Sequence, residues 1–302
     1  MTRPRLDWAR DGADWPNRDA SCFLEAGGVR WHVQTLGPED APALLLVHGA
    51  GGASHSWRDV APLLAPHFRV VVPDLPGHGF SGPGYGDHAS LPGMARALAA
   101  LCGALGASPA LIAGHSAGAA IATRIALDGL AAPASIVSFN GAFLPFRGAA
   151  GVLFPIMAKL LALNPFVPRA MAWTAGGAAA DRLIDAMGDG LDARGRALYR
   201  RLFESPGHVA AALAMMAAWD LRPLGRDLPS LRQPLSLIVG ERDRAVPPED
   251  ADGVAARAPR ARVRRLAGLG HLAHEQAPET AAEIVNEAWR EAAAAAERPG
   301  AG

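Results

Sequence analysis

Cysteine is nearly missing from this chain of 302 residues: Cys22 and Cys102 are the only two. Two thiols make no disulfide framework, no zinc set and no C-x-x-C motif, so a reducing, cytoplasmic setting is expected. Net charge is missing too, with 29 basic and 29 acidic residues. No aromatic-plus-basic motif offers a nucleic-acid surface. No run of about 20 residues lacks both charge and helix breakers, which excludes a predicted transmembrane span. The start, Met1-Thr2-Arg3-Pro4-Arg5, has no apolar segment of the kind a secretory signal needs. A last absence is local. From Gly129 to Ala180 there is no Asp or Glu, and the charges there are Arg147, Lys159 and Arg169.

What is present is a folded composition, 50% hydrophobic and 19% charged. Residues 1–20 mix charge with Pro and Gly and read as a poorly packed lead-in. After them, Val29–Leu36 alternates like an antiparallel strand, and Ala43–Val47, Arg69–Val72, Ala110–Ala113, Ile136–Phe139 and Leu235–Val239 are short buried strands. Ala261–Leu266 reads as an edge strand. Helices are expected over Ser90–Leu105, Ala117–Leu127 and Pro278–Ala296. Strands alternating with helices imply an α/β fold with a doubly wound, mostly parallel sheet. Residues 141–228 break the alternation. They read as a helical lid with breaks at Pro155, Pro165, Pro168, Gly176-Gly177, Gly190 and Pro206, inserted before the strand that carries the acid. The expected organisation is a core of 21–140 and 229–296, the lid, and a disordered tail at 297–302.

The chemistry begins at Gly114-His115-Ser116-Ala117-Gly118. This is a G-x-S-x-G pattern between a strand and a helix, the context in which such a serine is lifted clear of the sheet as a nucleophile. Acyl transfer also needs a base, a group that orients it, and an oxyanion hole. Asp243, on the turn after the strand Leu235–Val239, is the expected acid, with Glu241 as rival. His271, between Gly268 and the last helix, is the expected base, with His274 as rival. The order Ser, Asp, His is that of this arrangement. The hole is expected from the backbone N–H of Ala117 and from the turn His48-Gly49-Ala50-Gly51-Gly52, at Ala50 or Gly51. No GKS or GKT follows that turn, so it is no phosphate loop. Asp74-Leu75-Pro76-Gly77-His78-Gly79 reads as a structural loop. His271-Leu272-Ala273-His274-Glu275 lacks the order of a zinc motif, and no metal or cofactor is expected. Asn140, ending a strand, cannot serve as the acid because it is an amide. The acid-free stretch suggests a greasy pocket with a cationic rim, or a membrane-facing surface, against the plainer alternative of a lid packed on the core. Phe143, Phe146, Arg147, Met157 and Trp173 are the candidate substrate-binding residues.

The elbow, the His-Gly turn, D-L-P-G-H-G-x-S, G-x-x-D-x-x-V-P and G-x-G-H together resemble the α/β-hydrolase superfamily, from about Phe23 to Trp289. Asp14-Trp15-Pro16-Asn17-Arg18, Gly28-Val29-Arg30-Trp31-His32-Val33-Gln34, Phe139-Asn140-Gly141-Ala142-Phe143 and Asn164-Pro165-Phe166 resemble the magnesium-chelatase accessory proteins of bacteriochlorophyll biosynthesis. That resemblance implies a role beside magnesium insertion into protoporphyrin, with a tetrapyrrole and chelatase subunits as partners. Two classes of function remain in view. One is a serine hydrolase acting on an ester-like bond of an apolar substrate, including a carboxylesterase unrelated to pigment synthesis. The other is a non-catalytic protein that keeps the fold to bind a tetrapyrrole or the chelatase.

Overall fold

The computed structural model describes residues 5–145, 161, 164, 166–174, 181–182, 184–185 and 190–297. Its centre is an eight-stranded sheet: β1 (Ser21–Ala26), β2 (Val29–Leu36), β3 (Ala43–Val47), β4 (Arg69–Pro73), β5 (Leu111–His115), β6 (Ser135–Phe139), β7 (Leu235–Gly240) and β8 (Ala261–Leu266). The spatial order is β1-β2-β4-β3-β5-β6-β7-β8. The pairs β1·β2 and β2·β4 are antiparallel, and every later pair is parallel. β8 lies at the edge, as its apolar-and-arginine alternation implied.

Side chains alternate across a strand, so one apolar run feeds two cores. Leu45 and Val47 of β3 face a cluster with Met94 and Leu98 of α1 (Leu91–Ala104) and Ile121 and Ile125 of α2 (Ala117–Leu127). Leu44 and Leu46 face the other side, against Trp57, Phe68 and Phe139. Spacing of three and four residues along the last helix adds Ala281, Ile284, Val285 and Ala288 to that second cluster. Fully burying each large apolar side chain contributes roughly 1.5–3 kcal/mol, which is what holds both helix layers to the sheet.

Between β6 and β7 the described residues form helices: α3 (Val167–Thr174), α4 (Ala193–Phe203), α5 (Pro206–Ala218) and Arg222–Asp227, followed by a short turn at Leu228–Ser230; α6 (Pro278–Ala296) closes the fold. Pro168 and Pro206 open helices rather than break them. A first-turn proline gives up an N–H that has no partner anyway, and Ser205 caps α5 through its hydroxyl. Residues beyond Glu297 lie outside the described part.

One strand is added to the expected set and one expectation is corrected. β1 was not legible because its partly exposed pattern carries a weak alternation. The lead-in is not poorly packed. Trp15 is 2% exposed, its Nε1–H donates to Ser54 Oγ at 3.1 Å, and its ring meets Phe80 edge-on at 4.9 Å. Asn17 donates to the Arg58 carbonyl, Gln34 donates to the Pro16 carbonyl, and Arg201 pairs with Asp14. Charge count hid the two tryptophans, Trp8 and Trp15, whose apolar surface docks the segment.

Candidate active site

The parallel strands β3, β5, β6 and β7 end on the same side of the sheet, and their following turns supply the site. Ser116 follows β5 directly. Its φ of 52° and ψ of −117° lie outside the ordinary regions for a residue with a side chain. Such strain costs of order 1–3 kcal/mol and persists only where neighbours impose it. Here they do: Ser116 N–H donates to the Phe139 carbonyl at 3.0 Å, and Ala142 N–H donates to the Ser116 carbonyl at 3.1 Å. The two elbow glycines have a steric cause. A Cβ on Gly118 would stand 2.2 Å from the Val47 carbonyl oxygen, and one on Gly114 would stand 2.5 Å from the Ala119 nitrogen. The helix can therefore start immediately after the serine, with no side-chain cap at Ser116. That leaves the first-turn N–H of Ala117 without an intrahelical acceptor.

Asp243 and His271 meet at the neighbouring strand ends. His271 Nδ1–H donates to Asp243 Oδ2 at 2.7 Å, both groups buried. Asp243 Oδ1 accepts the backbone N–H groups of Ala245 and Val246, which fixes the carboxylate plane. Asn140, at φ 49° just past β6, donates its Nδ2–H to the same Oδ2 at 2.8 Å. The amide that cannot itself be an acid thus holds Asp243 in place. Glu241 is exposed and pairs with neither. His274 is fully buried beside Trp57, with its Nε2 on Ser56 Oγ at 2.8 Å; the histidine that pairs with Asp243 is His271.

His271 is also fastened to the elbow. His115, the residue before Ser116, donates from Nε2 to the His271 carbonyl at 2.9 Å, and the two rings lie 4.7 Å apart. Burial, with His274 and His271 adding to it, pushes His115 well below the usual imidazole range, so it is a neutral strut. Behind the histidine loop, Glu275 is buried between Arg58 and Tyr199, whose hydroxyl donates to it at 2.7 Å. Burial raises its carboxyl to about 7 against the pull of Arg58. Asp74, also buried, is drawn the other way: burial alone would raise it, but His32 and the N–H groups of Ser54 and Phe80 hold it well below the carboxylate range. Asp74 and its loop are structural, as expected.

On the facing turn, Gly52 N–H donates to the Gly49 carbonyl at 3.1 Å, and His48 Nδ1–H donates to the same oxygen at 2.8 Å. Ala50 is exposed, and its N–H donates to no acceptor among the described residues. A Cβ on Gly49 would lie 3.0 Å from Ser116 Cβ, so this turn abuts the serine. The residues read as nucleophile, acid, base and hole are therefore brought to one place. The substrate-binding set fares differently. Phe143 is 2% exposed in the core, close against Gly141 and walling the small cavity behind Asp243, and so is corrected from pocket lining to packing. Trp173 is 78% exposed on α3. Phe146, Arg147 and Met157 lie outside the described residues. Sequence reading missed the roles of Asn140 and His115. His115 occupies a free position of the elbow motif, and no local pattern marks a partner brought in from another strand.

Comparison with known proteins agrees with this fold. Residues 44–284 match the model of the Alpha/beta hydrolase family. The chain is 43% identical over 266 residues to the magnesium-chelatase 30 kDa subunit of Rhodobacter capsulatus, covering 88% of this chain and 93% of that one. It is 30% identical over 248 residues to a pimeloyl-[acyl-carrier protein] methyl ester esterase of Xanthomonas axonopodis pv. citri, covering 80% of this chain and 91% of the other. Among solved structures, an alpha/beta hydrolase fold protein from Burkholderia ambifaria superposes with a TM-score of 0.73 at 25% identity, covering 89% of this chain and 98% of that one. An eight-stranded, mostly parallel sheet, a strained serine between β5 and α2 and this breadth of likeness lead to one conclusion: the chain belongs to the alpha/beta hydrolase family, and within it to the family of the magnesium-chelatase 30 kDa subunit.

Proposed function

We propose that the chain is a serine hydrolase that cleaves an ester-like bond of an apolar substrate, in the service of magnesium chelation for bacteriochlorophyll synthesis. One observation carries it: the Asp243–His271 pair is held by the residue next to Ser116. In this reading Ser116 Oγ attacks the substrate carbonyl carbon while His271 Nε2 takes its proton. Asp243 stabilises the imidazolium and keeps Nδ1 protonated. The oxyanion receives the N–H groups of Ala50 and Ala117. His271 then hands its proton to the leaving alcohol, and water, activated by the same imidazole, releases the acid and restores Ser116. The esterase among the relatives supports this chemistry. Cytoplasmic location is part of the proposal; no helix among the described residues is long and apolar enough to cross a membrane. A fluorophosphonate probe should label the wild type, and Ser116→Ala or His271→Ala should abolish labelling. Equal labelling of Ser116→Ala would overturn the assignment.

A second reading, a tetrapyrrole- or chelatase-binding protein, is favoured by a separate observation. α3 buries Ala172 against Val209 and Leu213 of α5 but leaves Trp173 78% exposed, and Phe166, just before the helix and on the same side, is 72% exposed. This apolar face lies in the stretch without acids, which suits a flat apolar anion, a chelatase subunit or a membrane surface. Protoporphyrin titration should show binding that the paired Phe166→Ser and Trp173→Ser changes weaken at least tenfold. Unchanged binding would leave the hydrolase reading alone.

A further inference from the structure

His208 lies on α5, in the insert, far in sequence from every residue of the site. It is 2% exposed. Its Nδ1 accepts the Gly79 N–H at 3.0 Å, and its Nε2 lies 3.0 Å from the Gly51 carbonyl oxygen. An N–H donor at Nδ1 and a carbonyl at Nε2 leave one possible ring: neutral, with the proton on Nε2. The groups around it are His78 and Asp74, His48, and Arg5; burial first, then His48 and Arg5, bring its basicity down to about 4. One turn further along α5, Ala211 packs on Gly77, where a Cβ would stand 2.6 Å from the Ala211 Cβ. One helix face therefore grips the loop after β4 and the turn after β3 together.

The hydrogen bonds from this ring run in a single direction. His208 Nε2–H donates to the Gly51 carbonyl. Across that trans peptide, Gly52 N–H points the opposite way and donates to the Gly49 carbonyl. Across the Gly49–Ala50 peptide, in turn, the Ala50 N–H points opposite to the Gly49 carbonyl, and on the hydrolase reading it is the donor that meets the oxyanion. Two planar peptides thus convert the position of one imidazole into the direction of the Ala50 N–H, and dipoles aligned head to tail polarise one another. A parallel branch reaches the same Gly49 oxygen from His48, whose Nε2 accepts the Leu75 N–H at 2.9 Å. Both branches start on the loop after β4.

We propose that His208 is a positioning residue for the oxyanion hole: carried by the helical insert, it aims and polarises the Ala50 N–H through the Gly51–Gly52 and Gly49–Ala50 peptides. The inference rests on the hydrolase reading, and its test separates the two. His208→Phe keeps a ring of similar size at the contact with His78 and removes both hydrogen bonds. His208→Gln restores a donor and an acceptor in one side chain. With p-nitrophenyl butyrate as the probe ester, His208→Phe should lower kcat about tenfold or more with KM unchanged, since removing an oxyanion donor outright costs about 10²–10³. His208→Gln should recover part of the loss. Equal kcat in wild type and His208→Phe, or a change in KM alone, overturns the proposal. If the wild type neither turns over the ester nor reacts with fluorophosphonate, the hydrolase reading fails, and amide exchange decides the clamp by itself. The Gly52 and Gly79 amides should lose at least tenfold protection in His208→Phe, with the strands unaffected; unchanged protection overturns it. Imidazole ¹⁵N shifts give a further check, since a proton on Nδ1 at neutral pH is incompatible with the arrangement.

Discussion

Replacing Asp243 by Asn changes one atom and tests the whole logic of the site. The carboxylate accepts four hydrogen bonds: Ala245 and Val246 N–H on Oδ1, His271 and Asn140 on Oδ2. An amide at position 243 must keep its oxygen toward the two backbone N–H groups, because nothing else there accepts from them. Its NH₂ then faces His271 and Asn140. Asn140 can adapt by turning its own amide over, since its Oδ1 has no partner in the present arrangement. His271 cannot. Meeting a donor at Nδ1, its neutral ring must carry the proton on Nε2, the atom that has to receive the Ser116 proton. Stability should change little, by about 1 kcal/mol, the net worth of one hydrogen bond. Reactivity should fall by about 10⁴, the cost of the wrong tautomer in this type of triad, or ~5.5 kcal/mol of barrier. The assay is the second-order rate of fluorophosphonate labelling at neutral pH, with urea unfolding as the fold control. A labelling rate within tenfold of wild type, in a folded variant, would refute the reasoning.

Stability should fall steadily as pH drops below about 6.5. Six buried histidines, His48, His55, His78, His115, His208 and His274, are held below the usual range mainly by burial. The unfolded chain then binds protons that the folded one refuses, so stability rises with pH through this window. His208 alone, at about 4 against 6.5, contributes roughly 3 kcal/mol to that slope. Glu275, raised to about 7, works in the opposite direction, but it is one group against six. Urea midpoints that rise on acidification would contradict the account. Trp15→Ala should cost about 3–5 kcal/mol, the usual penalty for emptying a buried aromatic site, and a change under 1 kcal/mol in urea unfolding would mean the lead-in is not docked. Magnesium should show no tight stoichiometric binding by calorimetry, because among the described residues no group of His, Cys, Asp or Glu is arranged to hold an ion.

Most of the buried strands, the elbow and the order Ser, Asp, His along the chain were legible in the sequence because each depends on local pattern. Continuous apolar runs such as Ala43–Val47 announce buried parallel strands. Gly114 and Gly118 announce a strand-to-helix turn too tight for a Cβ. Chain order favoured Asp243 over Glu241 and His271 over His274, and Asp243 and His271 are the two that pair in the fold. What tertiary structure alone decided is how those residues are held. Asn140 read as a disqualified acid, yet its amide steadies Asp243 from a strand 103 residues away in sequence. His115 sits at a free position of the elbow pattern and drew no reading, yet it ties His271 to the segment that carries the serine. His208 carried no signal at all, since its partners, Gly51 and Gly79, are backbone groups that any sequence offers. Phe143 and Trp173 were indistinguishable as apolar residues of one segment, and only packing made one a core residue and the other an exposed one. Local pattern fixes the identity of a reactive group through backbone conformation. Its orientation comes from hydrogen bonds between distant segments, and those exist only once the sheet has brought the strand ends together.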